Sequence, residues 1–154
     1  PFTIIRPSAL YGERCVSRRV GQAFIENALV GEDLTVNGDG TEGLDFTYIN
    51  DLVQGIILSI TKSDSINQIF NITFGAARSI NQLAEIVMEK FSEIKLHHKT
   101  RDGLMPERGT LSIAKAQKLL GYNPQHPVEK GFVQYINWYK NFAENNPHLF
   151  KKKS

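Results

Sequence analysis

Gly31-Glu32-Asp33-Leu34-Thr35-Val36-Asn37-Gly38-Asp39-Gly40, followed through Thr41-Glu42-Gly43 by Leu44-Asp45-Phe46-Thr47-Tyr48-Ile49-Asn50-Asp51-Leu52, is the stretch on which the fold turns. Leu34-Thr35-Val36 reads as a short strand. Asn37-Gly38-Asp39-Gly40 reads as a turn, because both dipeptides tolerate positive φ. Asp45 to Ile49 alternates and is rich in aromatic and β-branched residues, so it is extended. Asn50 is placed to cap a helix running from Asp51 towards Ile60, with Val53, Ile56, Ile57 and Ile60 as its apolar face. Gly38 to Gly43 also spells G-x-G-x-x-G, a dinucleotide fingerprint. That chemistry needs a strand before the loop and a helix N-terminus after it to hold a pyrophosphate. Here extended residues follow, so the stretch is read as a turn between strands.

Strand and helix signals alternate on both sides of this stretch. Phe2-Thr3-Ile4-Ile5 is an apolar β-rich run ended by Arg6-Pro7. Val20, Phe24, Ile25, Ala28 and Leu29 recur at helical spacing, and Gly31 stops that helix. Gln68 to Thr73 reads as a strand. Ser79-Ile80-Asn81-Gln82 is a capping box opening a helix through Leu83, Ile86, Val87 and Phe91. Lys95 to Lys99 reads as a short strand. Ser112 is expected to cap a helix ending at Leu120-Gly121, and Pro127 opens a last helix through Val128, Phe132, Tyr135, Ile136 and Tyr139. The pattern predicts an α/β fold. A strand like Phe2 to Ile5, buried on both faces, needs neighbours on both sides, and no segment reads as a convincing partner. The chain is therefore expected to be a piece of a longer one.

Composition narrows the function classes. The 154 residues are 41% hydrophobic and 22% charged, ordinary values for a globular chain that hides about 70% of its unfolded surface. A net charge of +2 argues against nucleic acid as a partner. Much of the excess sits in Lys151-Lys152-Lys153, read as a solvated basic tail over 150–154. Cys15 is the single cysteine, which excludes an internal disulfide and suits a cytoplasmic location. No apolar run reaches the length of a membrane span. His97-His98 alternate across a strand and cannot converge on one ion, so no metal site is expected. G-x-S-x-G and the Walker loop are absent. Arg14, Arg18, Arg19 and Arg108 lie in or beside loops; a guanidinium suits bidentate capture of phosphate, and taken singly each also reads as an exposed surface charge.

Three ordered motifs resemble one family. Ile5-Arg6-Pro7-Ser8-Ala9-Leu10-Tyr11-Gly12 is similar to the R-P/Y-x-x-x-Y-G segment of the extended short-chain dehydrogenase/reductases that act as NAD-dependent nucleotide-sugar epimerases and dehydratases. Gly31 to Gly40 with Leu44 to Leu52 resembles its G-x-x-L-x-x-x-G-x-G…R-D-F-x-Y-V-x-D segment. Pro106-Glu107-Arg108-Gly109 and Lys115-Ala116 to Leu120-Gly121-Tyr122-Asn123-Pro124 resemble its R-G…K-A-x-x-x-L-G-Y/W-x-P ending. The resemblance implies the C-terminal portion of such a protein: the last Rossmann strand or strands plus a small mixed α/β substrate-binding domain over 1–149. The N-terminal Rossmann half is expected to be absent from this chain.

The family's chemistry rests on a Tyr-x-x-x-Lys pair, the Tyr as acid/base, and on a nicotinamide that takes a hydride from the sugar and returns it. Tyr11, Tyr48, Tyr122, Tyr135 and Tyr139 all lack a Lys four residues on, so no catalytic residue is expected in this chain, which should be inactive alone. The resemblance implies NAD or NADP in the complete protein and none for this chain by itself. Pro7 and Ser8 would run beside the nicotinamide. Ala9, at a position where many epimerases carry Asn, and Val20 would flank the substrate. Thr35 and Asn37 would line the base site, and Arg108 would hold the pyrophosphate. Leu44 stands where a second arginine is usual, leaving Arg18 or Arg19 to compensate or the substrate to differ. The implied partners are a nucleotide sugar, the N-terminal Rossmann half and a second copy in a homodimer. Two alternatives stay open: a non-catalytic nucleotide-sugar or protein-interaction module on this scaffold, and a reductase of the family with another carbonyl substrate.

Overall fold

A computed structural model describes residues 1–15, 17–101, 103 and 108–150. The basic tail, 151–154, and the motif residues Pro106 and Glu107 lie outside the described residues. In chain order the elements are β1 (Thr3–Arg6), β2 (Leu10–Tyr11), α1 (Val20–Leu29), β3 (Leu34–Asn37), β4 (Gly43–Leu44), β5 (Thr47–Tyr48), α2 (Ile49–Thr61), β6 (Gln68–Asn71), β7 (Arg78–Ser79), α3 (Ile80–Lys90), β8 (Leu96–Lys99), α4 (Ala114–Leu120) and α5 (Val128–Asn145). The mixed α/β class follows the alternation of the sequence. The strands pair two by two: β1 with β6, β2 with β5 and β3 with β8 in parallel, and β4 with β7 antiparallel.

Several expectations are corrected by the structure, the first by this pairing. The opening strand does have a partner in its own chain, β6, in the register Thr3↔Gln68 to Arg6↔Asn71. It is also not buried on both faces. Ile5 and Phe70 face inward as neighbours, whereas Ile4 (46% exposed) and Ile69 (41%) lie side by side on the outer face. Only one layer, from α2 and α4, covers this pair of strands among the described residues, so period 2 leaves alternate residues in solvent.

The second correction concerns α2. Val53, Ile56, Ile57 and Ile60 point outward, Ile60 being 79% exposed, while Asp51, Leu52, Gly55 and Ser59 face in. A Cβ on Gly55 would collide with Ile72 Cγ2, so the helix backbone rests directly on the chain leaving β6. The small-residue face makes the close contact, and the apolar stripe is left over. Nor does Asn50 cap α2: the helix begins at Ile49, Tyr48 occupies the cap position without a side-chain bond, and Asp51 supplies the negative charge of the first turn. Ser112 likewise lies one residue early, because Ile113 holds the cap position of α4.

Other local readings match. Ser79 and Gln82 form a reciprocal capping box, each side chain accepting the other's backbone N–H. Gly31 and Gly121 adopt positive φ where helices end. The main core joins α1, α3 and α5 around Phe24, Ile25, Leu83, Val87, Phe132 and Ile136, with β3 and β5 on its flank. A smaller cluster of Leu52, Phe70, Ile72, Leu120 and Tyr122 lies under β6 and α4. No helix among the described residues is long and apolar enough to cross a membrane.

Candidate functional site

The alternation of β3 starts the site. Leu34 and Val36 are buried, which turns Thr35 and Asn37 to the opposite, open face. They look into a cleft of about 420 Å³ that is also lined by Ala9, Val20, Leu44 and Arg108. The six substrate-binding positions implied by the motifs thus come together from five separate segments. Pro7 and Ser8 do not reach this cleft. They lie between β1 and β2, with Pro7 exposed and Ser8 half-buried.

Each wall has a local cause. Ala9 enters through its backbone: its carbonyl accepts the Thr47 N–H at 3.3 Å, and its φ of 38° lies in the left-handed region. A Cβ there costs roughly 1–2 kcal/mol. Ala9→Gly should therefore stabilise the fold by up to about 1 kcal/mol, and Ala9→Val should destabilise it, read by urea unfolding. If both variants unfold at the wild-type midpoint, no strain is stored at this turn. Leu44 in β4 is buried opposite Arg78. Arg108 is carried by a segment that Asp45 anchors, since the fully buried Asp45 carboxylate accepts the Leu111 N–H at 3.0 Å.

The sequence did not single out the remaining lining residues as ligand contacts, apart from Arg19. Glu42 sits at the cleft beside β4, its carbonyl holding the Ile80 N–H at 3.2 Å. Tyr11, Phe46, Phe132 and Tyr135 make an apolar floor. Helical spacing in α5 did signal Phe132 and Tyr135 as core, but not that this core borders a cleft. Burial, the first cause in each case, pushes the Tyr11 and Tyr135 hydroxyls well above the usual phenol range. A phenol shifted that way holds its proton.

The other sequence signals resolve into structure. Gly38 and Gly40 both have positive φ, and β4 rather than a helix follows them. The loop is fixed by Asn81, whose side-chain amide donates to the Asp39 carbonyl at 2.9 Å. A Cβ on Gly40 would collide with that side chain. The G-x-G-x-x-G stretch therefore does not fit a dinucleotide. His97 pairs with Asp33 (2.6 Å) and His98 with the Gly38 carbonyl (3.0 Å), so the two rings serve different partners. Asp51 accepts bonds from the backbone of Gln125 and His126 and from the His126 ring, an anchoring role. A second groove of about 810 Å³ holds Arg14, Arg18, Glu26, Trp138 and Phe142 and, among the described residues, shares only Cys15 and Gln22 with the first.

Comparison with known proteins agrees with the motif reading. Residues 1–73 match the NAD dependent epimerase/dehydratase family. The chain is 32% identical over 141 residues to UDP-glucuronic acid decarboxylase 1 of Xenopus tropicalis, covering 88% of this chain and 32% of that protein. It superposes with a TM-score of 0.89 on an epimerase from Methanothermobacter thermautotrophicus, at 25% identity over 94% of this chain and 45% of that one. With the UDP-glucuronic acid 4-epimerase of Bacillus cereus, solved with UDP-glucuronic acid and NAD, the TM-score is 0.83 at 25% identity, over 91% and 45%. The chain spans less than half the length of the curated relatives it matches.

Proposed function

We propose, from the premise that the chain belongs to the NAD-dependent epimerase/dehydratase family, that it is the substrate-binding half of an enzyme acting on nucleotide-linked sugars by transient hydride transfer. One observation carries this reading: Ala9, Val20, Thr35, Asn37, Leu44 and Arg108, scattered over the sequence, line a single cleft. Thr35 and Asn37 offer polar groups to a base, and Arg108 offers a forked cation to a diphosphate. NAD or NADP belongs to the complete enzyme, where it would take and return the hydride. Pro7 and Ser8 are proposed to run beside its nicotinamide. The described residues supply neither a phosphate-cradling loop nor a tuned acid/base tyrosine, so binding and orienting the sugar is the task assigned to this half.

The proposed partner is a Rossmann half resting on the outer face of β1 and β6, with residues 1–149 as the substrate-binding portion. Ile4 and Ile69 sit side by side there in solvent, and the α2 stripe of Val53, Ile57 and Ile60 is uncovered as well. Apolar surface of this kind marks an interaction face. A cytoplasmic location and a homodimer complete the proposal, the former on the lone Cys15.

Arg108→Ala tests the cleft. Loss of a charge-assisted bond to a diphosphate should weaken UDP binding by roughly 1.5–3 kcal/mol in titration calorimetry. Arg101→Ala, outside the cleft, should change it little. Equal losses at the two positions would mean general electrostatics and would remove the role assigned to Arg108.

A further inference from the structure

We propose that Arg19 is the second cationic arm of this site, gripping the diphosphate of the bound nucleotide sugar together with Arg108. The inference rests on the reading of the cleft above and supplies what Leu44 lacks. Leu44 is a buried member of the wall, and its uncharged side chain offers no donor to an anion. Among the described lining residues the cations are Arg19 and Arg108, and the one acid is Glu42.

Arg18 and Arg19 are consecutive, yet the chain sends them to different places. Arg18 has a φ of 46°, and its N–H donates to Gln22 Oε1 at 2.8 Å, which fixes this left-handed kink. Its guanidinium pairs with Glu26 (3.5 Å) and lines the second groove. Arg19 follows in extended conformation, φ −70° and ψ 167°, as the residue that opens α1. It lines the first cleft, as do Val20, Gly21 and Gln22 of the first turn. That turn contains no acidic residue and no side-chain cap, so the positive end of α1 adds to the Arg19 charge rather than opposing it. Tyr11, in the same wall, has a hydroxyl without a partner among the described residues. Two guanidinium forks on separate segments suit two adjacent phosphates, where a single arm would leave the ligand free to pivot.

The experiment uses the full 154-residue chain. Wild type is titrated with UDP, dTDP, GDP and ADP, and the tightest binder is carried forward with its own nucleoside. Arg19→Ala and the bulk-preserving Arg19→Gln should each weaken the diphosphate roughly ten- to hundredfold. Nucleoside binding should stay within about twofold, which also reports that the variants are folded. Arg18→Ala should leave both ligands unchanged. If Arg108→Ala loses the diphosphate and Arg19→Ala does not, the second arm is overturned and the cleft stands. If Arg18→Ala loses as much as Arg19→Ala, the effect is general charge and the proposal fails. If no nucleoside diphosphate binds wild type at millimolar concentration, the functional reading falls and Arg19 falls with it.

Discussion

Replacing Asp45 with alanine is expected to cost about 3–5 kcal/mol of folding stability, enough to threaten a fold of ordinary margin. The carboxylate is completely buried and serves three donors from two distant segments. Oδ2 accepts the Thr73 hydroxyl (2.9 Å) and the Leu111 N–H (3.0 Å), and Oδ1 accepts the Gly75 N–H (3.0 Å). Alanine would leave all three without an acceptor. For a chain of this size the loss corresponds to a fall in Tm on the order of 10 °C. Asp45→Asn should cost less, roughly 1–2 kcal/mol. Its oxygen can keep the Thr73 and Leu111 bonds, while its amide turns a donor against Gly75. Because Leu111 follows Arg108 closely, Asp45→Ala should also weaken UDP binding with Arg108 intact. Thermal unfolding and calorimetry of both variants decide the matter. Equal losses for Ala and Asn would mean that burial of charge, not the number of acceptors, governs this position.

What could be read from the sequence divides along a physical line. Elements whose signals are local were legible: the capping box at Ser79, the stop at Gly31 and the turn at Gly38 to Gly40 all follow from bonds or dihedrals within a few residues. The motif resemblance singles out Ala9, Val20, Thr35, Asn37, Leu44 and Arg108, which line one cleft, together with Pro7 and Ser8, which stand outside it. Pairing was not legible. β1 meets β6 across more than sixty residues, and nothing in Gln68-Ile69-Phe70-Asn71 marks it as the partner of Thr3 to Arg6. The orientation of α2 escapes the sequence for a related reason. Periodicity identifies an apolar face but not what covers it, and here the contact is made by Gly55 against Ile72. The split between Arg18 and Arg19 was equally hidden. It depends on one left-handed residue held by Gln22, and arginine carries no propensity that would announce it.

The loop that launches α5 depends on a second buried carboxylate. Asp51 Oδ1 accepts the Gln125 N–H (2.9 Å) and His126 Nδ1 (2.8 Å), and Oδ2 accepts the His126 N–H (3.0 Å). These bonds tie the first turn of α2 to the residues just before Val128, where α5 begins. The His126 ring also packs at a tilt of 40° against Tyr48, at 4.8 Å between centroids, so the loop is held from both sides. Asp51→Ala removes every one of these acceptors together with the negative charge at the helix N-terminus. A cost of about 3–5 kcal/mol is expected, comparable to breaking a buried pair. His126→Ala keeps both backbone bonds and loses one side-chain bond and the ring contact, so about 1–2 kcal/mol is expected. The asymmetry is the test. If Asp51 works chiefly by anchoring the backbone, urea unfolding will rank Asp51→Ala well below His126→Ala in stability. The double variant will then be little worse than Asp51→Ala alone. If the two single variants unfold at the same midpoint, the interaction is an ion pair between side chains and the backbone bonds add little. Phe132 and Tyr135 of α5 form the cleft floor, so a loosened start of this helix should also show as weaker nucleotide binding in Asp51→Ala.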